Sequence, residues 1–159
     1  MRPTKVPQLR NIVAVAAGYW HSLALDSDGR VWSAGHHKNG ELGREGQGDT
    51  FAPVNAPEGV TFAKISAGFG VSFLIDTQGE LYTCGNAKLN LHGAVKNVPT
   101  KVKKITEPVR LVAASQVSAL LVTESGKLFA WGDNVCQQSG TGSKKDFLPN
   151  PKEVTWFSQ

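Results

Sequence analysis

The sequence repeats one pattern of glycines and apolar residues three times, and this repetition restricts the fold more than any other feature. The copies begin at residues 16, 66 and 113 and read AAGYWHSLALDSDGRVWSAG, SAGFGVSFLIDTQGELYTCG and AASQVSALLVTESGKLFAWG. A period of this length indicates a repeat architecture, in which each unit buries its apolar face against its neighbours. Glycine is also abundant, with 17 among 159 residues, which is typical of a chain with many tight turns.

Small residues recur at three matching positions in the copies. The three columns are Gly18, Gly68 and Ser115, then Gly29, Gly79 and Gly126, and finally Gly35, Gly85 and Gly132. The second column lies in the stretches DSDGR, DTQGE and TESGK, where glycine supplies the positive φ that a short hairpin loop requires. The first column ends a strand, which predicts a tight turn with no room for a side chain and small residues where neighbouring units converge.

The segments between the columns predict short β-strands. Runs rich in Val, Leu, Ile, Phe and Trp are bounded by Gly, Ser and Asp, and in the first copy they predict strands over 13–16, 22–26 and 30–34. An all-β unit of this length lies in the range of propeller blades. We therefore expect one partial propeller over residues 1–159. Its blades are predicted at about 10–50, 60–100 and 108–148, with proline-containing linkers between them and the start of a further blade at 149–159.

Residues 15–43, VAAGYWHSLALDSDGRVWSAGHHKNGELG, resemble the RCC1 repeat, that of the regulator of chromosome condensation. The matching positions are Val15, Gly18, His21, Ser22, Leu23, Leu25, Gly29, Val31, Gly35, Gly40, Leu42 and Gly43. The second copy has Val71 where the repeat usually has His, and the third has Ser118-Ala119 in place of His-Ser. The resemblance implies an RCC1-type β-propeller that is normally seven-bladed, with four strands in each blade. About three blades are present here, so the rest would come from a longer chain or from another protein.

The sequence offers no catalytic, metal or cofactor site. The adjacent His36 and His37 would point to opposite faces of a strand, and no further Cys or His spacing completes a zinc site. The stretch GTGSKK at 140–145 lacks the spacing of a phosphate-binding loop. His21 fits the His-Ser pair of the repeat, and we expect it to lock the turn after Gly18 with a hydrogen bond. The sequence therefore predicts a protein that is not an enzyme.

The loops that differ between the copies are the predicted binding surface, because the shared columns serve the fold. These loops cover 36–38, 44–50, 87–104 and 134–146. The candidate partner-binding residues in them are His36, His37, Lys38, Arg44, Lys96, Lys101, Lys103, Lys104, Lys144 and Lys145. The predicted function is that of a protein-interaction platform, whose partner is another protein or the remaining blades of the propeller.

Two alternatives stay open on the sequence alone. The resemblance implies guanine-nucleotide exchange on a Ran-like small GTPase, with chromatin contact, although no wedge-like insertion matches the exchange element. Nucleic-acid binding through the lysines between 96 and 104 is disfavoured, because the net charge is only +4 and no aromatic residues alternate with them. No apolar run is long enough to span a membrane. Two cysteines without a CxxC motif, and no apolar signal segment, predict a location in the cytoplasm or nucleus.

Overall fold

The computed structural model describes residues 2 and 4–155, and these contain twelve β-strands in three four-stranded antiparallel sheets. The first blade is β1 (Ile12–Ala17), β2 (His21–Asp26), β3 (Val31–Gly35) and β4 (Ala52–Pro53). The second blade is β5 (Phe62–Ala67), β6 (Val71–Asp76), β7 (Leu81–Gly85) and β8 (Lys96–Lys101). The third blade is β9 (Val109–Ala114), β10 (Ser118–Thr123), β11 (Leu128–Asp133) and β12 (Phe147–Glu153).

The blades stand side by side with their first strands innermost. In each sheet the strands follow chain order, and β5 lies against both β1 and β9. This arrangement confirms the predicted propeller architecture, including the three strands expected in the first copy. Within the described residues, no helix has the length and apolar character needed to cross a bilayer.

The fourth strand of each blade lies in a segment that the sequence assigned to a linker. In the third blade, Leu148 pairs with Gly132 and Glu153 pairs with Phe129. Residues 149–153 therefore complete the third blade, and the prediction that they begin a further one is wrong; residues 156–159 lie outside the described residues. The prolines of these segments hid the strands, although an outer strand tolerates proline because one of its edges needs no ladder donor.

Apolar side chains fill the space between neighbouring blades. Between the first and second blades the buried set is Leu23, Leu25, Val31, Phe62, Ala67, Leu74 and Tyr82. Between the second and third blades it includes Val71, Phe73, Ile75, Leu81, Leu89, Val109, Val112, Ala119, Leu121 and Trp131. Every residue of β6 is buried because the second blade is covered on both faces, whereas burial along β10 alternates because the third blade is covered on one.

The glycine columns occupy the positions where backbones approach most closely. A Cβ on Gly18 would lie 2.7 Å from the carbonyl oxygen of Gly68, and one on Gly68 would lie 2.9 Å from that of Ser115. A Cβ on Gly85 would lie 2.3 Å from the carbonyl oxygen of Gly70. The first column thus lets neighbouring blades converge, as predicted, and the third lets the end of a strand pass beneath the preceding turn.

The His21 side chain joins the first blade to the second, so the hydrogen bond that was predicted to lock the turn after Gly18 involves its backbone and not its ring. Its Nε2 lies 2.8 Å from Ser72 Oγ, whose hydroxyl donates to the Glu41 carbonyl at 2.7 Å. Because that bond uses the serine proton, Nε2 carries the imidazole proton and donates it to Ser72. Nδ1 is buried without a hydrogen-bond partner in the described part of the chain. The turn is closed instead by the Gly18 N–H, which donates to the His21 carbonyl at 2.8 Å.

Apolar residues take the places of His21 and Ser72 at the interface between the second and third blades. Val71 follows Gly68 as His21 follows Gly18, and Ala119 occupies the position of Ser72 in the third copy. Val71 and Ala119 are both buried in the cluster between the second and third blades. Donor and acceptor are therefore lost together, so neither interface leaves an unpaired imidazole Nε2 or hydroxyl at this position.

Replacing the hairpin glycines by alanine should separate backbone strain from steric conflict. Gly79 and Gly126 both have positive φ, of 81° and 87°. A Cβ on Gly79 would meet Pro108 Cβ at 2.8 Å, whereas one on Gly126 would meet nothing within 4 Å. We expect Gly126→Ala to lower the free energy of unfolding by about 1–2 kcal/mol, the cost of a left-handed backbone. Gly79→Ala should cost about 1–3 kcal/mol more, from overpacking. Urea unfolding measures both, and equal losses would contradict the structure.

The His21 contact predicts that acid destabilises the protein. Burial lowers the pKa of His21 from 6.5 to about 4, with the negative charge of Glu41 opposing that effect and His36 adding to it. Between these values the unfolded chain binds a proton that the folded chain does not, so stability should fall as the pH drops from 6.5 to 4. The loss attributable to His21 is up to about 3 kcal/mol.

Urea unfolding across this pH range tests the prediction with His21→Phe and, as control, His37→Ala, which changes an exposed imidazole. We expect the pH dependence to shrink in His21→Phe and to persist in His37→Ala. An unchanged slope in His21→Phe would show that His21 is not the responsible group.

Candidate functional site

One end of the three sheets carries the loops that differ between blades, and we call it the loop face. His21 pairs with Gly35, so the turn between β1 and β2 and the loop after β3 emerge together. The equivalent pairs Val71–Gly85 and Ser118–Gly132 place the corresponding segments of the other blades at the same end. The loop face therefore comprises residues 18–20, 36–51, 68–70, 86–95, 115–117 and 134–146. The hairpins at Gly29, Gly79 and Gly126 lie at the opposite end.

The lysines between 96 and 104 do not form one patch. Lys96 pairs with Gly85 at the loop face, but β8 then runs to the opposite end, where Lys101 forms a salt bridge with Glu80. Lys103 and Lys104 follow the end of β8, and Lys104 Nζ donates to Asn150 Oδ1 at 2.7 Å. Their spacing in the sequence suggested proximity, but the strand separates them.

Arg44 belongs to the interior of its loop, so the expectation that it contacts a partner is corrected. Its guanidinium donates to Ser33 Oγ and to the backbone carbonyls of Ser33, Glu45, Gln47 and Thr50, at 2.9–3.1 Å. Burial lowers the pKa of Arg44, and the Asp49 carboxylate opposes that effect. Arg44 thus fixes the path of residues 44–50.

Buried asparagines hold the equivalent loops of the other two blades. Asn90 Nδ2 donates to the carbonyls of Gly85 and Ala94, and Asn134 Nδ2 donates to those of Ser143 and Lys145, at 2.6–3.0 Å. Asn90 was not among the predicted site residues, although an amide in a glycine-bounded loop is a common device for closing it. The loop face is therefore internally bonded in all three blades.

His36 and His37 lie beyond the end of β3, so the opposite-face argument for a strand does not apply to them. His36 Nδ1 lies 2.5 Å from Glu41 Oε1, and the other oxygen of this fully buried carboxylate accepts from the Asn39 N–H at 2.9 Å. In residues 2 and 4–155, no three His, Cys, Asp or Glu side chains group in a way that could hold a metal ion.

An exposed aromatic cluster, formed by Tyr19, Trp20 and Phe69, lies on the loop face between the first and second blades. Their ring centroids are 4.8–5.1 Å apart, and the His36 ring extends the cluster at 5.3 Å from Trp20. Tyr19 is 60% exposed and Trp20 49%. These residues were not among the predicted site residues. They occupy the variable positions after Gly18 and Gly68, where large apolar side chains serve no requirement of the repeat.

An open pocket of about 210 Å³ adjoins the aromatic cluster between the second and third blades, and we call it the interblade pocket. Its walls include Phe69, Leu89, Val117 and Phe147, with Lys88 and Asp133 at the rim. Lys144 and Lys145 are exposed in the neighbouring loop 134–146.

The His21–Ser72 pair and the Cys84 thiol are buried, whereas Cys136 is an exposed free thiol on the loop face. The His21–Ser72 pair has the residue types of a nucleophile and its base, but both side chains are buried between blades. Burial raises the pKa of the Cys84 thiol to about 12, which keeps it protonated. The loop face presents aromatic rings, an apolar pocket, scattered charges and the Cys136 thiol.

Comparison with known sequences identifies the repeat and its relatives. A family profile described as "Regulator of chromosome condensation (RCC1) repeat" matches residues 12–41. The RCC1 domain-containing protein RUG3, mitochondrial, of Arabidopsis thaliana is 27% identical over 99% of this chain and 37% of its own length. The mouse Regulator of chromosome condensation is 28% identical over 87% of this chain and 34% of its own length. This chain thus spans little more than a third of these relatives.

Solved structures share the fold. Prp20p from Saccharomyces cerevisiae superposes with a TM-score of 0.80 at 22% identity, over 95% of this chain and 40% of Prp20p. Human WBSCR16 gives 0.78 at 23% identity, over 96% of this chain and 42% of its own. The profile match and the sequence relatives show that the chain belongs to the RCC1 repeat family, and the solved structures show that it has the fold of three blades of an RCC1-type β-propeller.

Proposed function

We propose that the chain is a non-enzymatic, protein-binding part of a larger propeller, and that its loop face binds the partner around the aromatic cluster. The observation that carries this proposal is the exposure of Tyr19 and Trp20 beside Phe69, on turns whose fold requires none of these rings. Tyrosine and tryptophan dominate the residues that contribute most to protein–protein affinity. Their placement across two blades offers one continuous apolar contact area.

The bonded loops support this role because they reduce the entropy lost on binding. Arg44, Asn90 and Asn134 hold the loop backbones of the three blades before any partner arrives. A surface already in its bound shape keeps more of its contact energy as affinity. His36, His37, Lys38, Lys96, Lys144 and Lys145 remain proposed contacts at the edge of this surface.

The free faces of the terminal blades support a larger propeller. On the first blade Val13 and Val15 are exposed, and on the third Leu111 and Leu120 are exposed, with Val15 at 76% and Leu111 at 56%. Large apolar patches on soluble proteins usually mark a covered surface. We propose that further blades of the same propeller cover both faces, as the second blade covers its neighbours.

The relatives suggest which partners to examine first. The structure of Prp20p was described with its binding to Gsp1p and histones, and Kap60 was solved bound to yeast RCC1 (Prp20). A small GTPase of the Ran type is therefore the second candidate partner, with nucleotide exchange as the activity. For location we propose the cytoplasm or nucleus, whereas the Arabidopsis relative is named as mitochondrial; imaging of a fluorescently tagged protein distinguishes these compartments.

We expect Tyr19→Ser combined with Trp20→Ser to weaken partner binding while leaving the fold intact, because both side chains are exposed. Loss of two residues of hot-spot strength, at about 2 kcal/mol each, should weaken binding by roughly a thousandfold. The measurement is quantitative mass spectrometry of proteins recovered by the tagged chain, followed by titration with each specific partner, Ran-type GTPase and histones included. Release of a fluorescent guanine nucleotide from the GTPase is followed in parallel.

Val98→Ser serves as the matched control, since Val98 is exposed on β8 rather than at the aromatic cluster. Urea unfolding verifies that both variants keep the stability of the unchanged chain. Equal recovery of partners by the double variant and by the control would refute the proposal.

A further inference from the structure

The interblade pocket is too small for an ordinary small-molecule site. Its volume of about 210 Å³ falls below the roughly 300–1,000 Å³ that such ligands usually occupy. It lies on the same face as the aromatic cluster and shares Phe69 with it. A partner covering the cluster would therefore also cover the pocket, whose size suits one amino-acid side chain.

The pocket is held in shape by buried residues beneath it. Leu89 forms part of the wall, and its carbonyl accepts from Trp131 Nε1 at 3.0 Å inside the core. Gly132 lies directly below, where a Cβ would meet the Val117 carbonyl at 2.4 Å and Leu89 Cδ2 at 2.8 Å. The wall of the pocket is thus anchored to the apolar cluster between the second and third blades. A side chain entering the pocket would meet preformed apolar surface.

The rim carries one free cation beside the apolar wall. Lys88 is exposed, and no carboxylate lies within salt-bridge distance of its ammonium in the part of the chain that the structure describes. Asp133, the acidic group of the rim, already accepts a hydrogen bond from Gln138 Nε2 at 2.7 Å. Asp133 keeps its negative charge in this bond, so Lys88 is the rim group that can pair with a carboxylate next to the inserted group.

We propose that the interblade pocket receives one large apolar side chain from a peptide segment of the partner, and that Lys88 pairs with an acidic residue beside that side chain. This inference rests on the proposed function and specifies the chemistry of the partner. Phe69, Val117 and Phe147 supply the contact area, while Lys88 sets the position of the charged neighbour.

Selection of short random peptides displayed on phage, against the full chain, tests this inference. We expect the enriched peptides to share an apolar residue next to Asp or Glu. Val117→Asp should weaken their binding at least tenfold, because a carboxylate would then stand in the apolar wall. Lys88→Glu should weaken acidic peptides and, in a fresh selection, should enrich Lys or Arg at the same position.

Lys152→Glu is the matched control, since it reverses an exposed charge at the far end of β12, opposite Ala130 and away from both the pocket and the loop face. Val117→Ser provides a milder change if Val117→Asp lowers stability in urea. Enriched peptides without a shared apolar residue, equal binding to Val117→Asp, or an unchanged preference with Lys88→Glu would each overturn the inference.

The partner itself separates this inference from the proposed function. If the Tyr19/Trp20 double variant loses the partner while Val117→Asp retains it, the loop face binds but the pocket does not. If both variants retain the partner, both proposals fail.

Discussion

The close approach of neighbouring inner strands is the constraint on which the rest of the structure depends. Gly18 lies against the Gly68 carbonyl, and Gly68 lies against that of Ser115. This contact brings whole sheets face to face, so their apolar side chains bury one another in two clusters. It also sets the turns of adjacent blades next to each other. The ring of Phe69 thereby meets those of Tyr19 and Trp20, and the contact surface is a direct result of the packing.

The inner three strands of each blade were predictable because their sequence and their environment agree. Alternating or continuous apolar runs end at glycines that the hairpin needs, as at Gly29, Gly79 and Gly126. The outer strands were not recognised, because β4 is only two residues long and β12 contains prolines at 149 and 151. An outer strand is specified by the neighbour to which it bonds, and its own sequence carries little of that information.

The candidate site was predicted less well, because residue type does not reveal how a side chain is used. Arg44 resembled a surface cation, yet loop carbonyls bind its guanidinium, and the lysines from 96 to 104 were divided by a strand that the sequence did not show. Tyr19 and Trp20 were visible at the variable positions of the repeat. The sequence could not show that Phe69 lies beside Tyr19 and Trp20, because this proximity depends on the packing of two blades.

The difference between the two blade interfaces makes the order of the blades matter. A polar pair, His21 with Ser72, closes one interface, and an apolar pair, Val71 with Ala119, lies in the other. Recombination that placed the first blade directly before the third would set the His21 imidazole against the Ala119 methyl group, and two successive copies of the second blade would set the Ser72 hydroxyl beside Val71. Gene duplication can add such blades, but the two residues that meet at each blade interface must then change together. A propeller with reordered blades would carry buried donors with no acceptor.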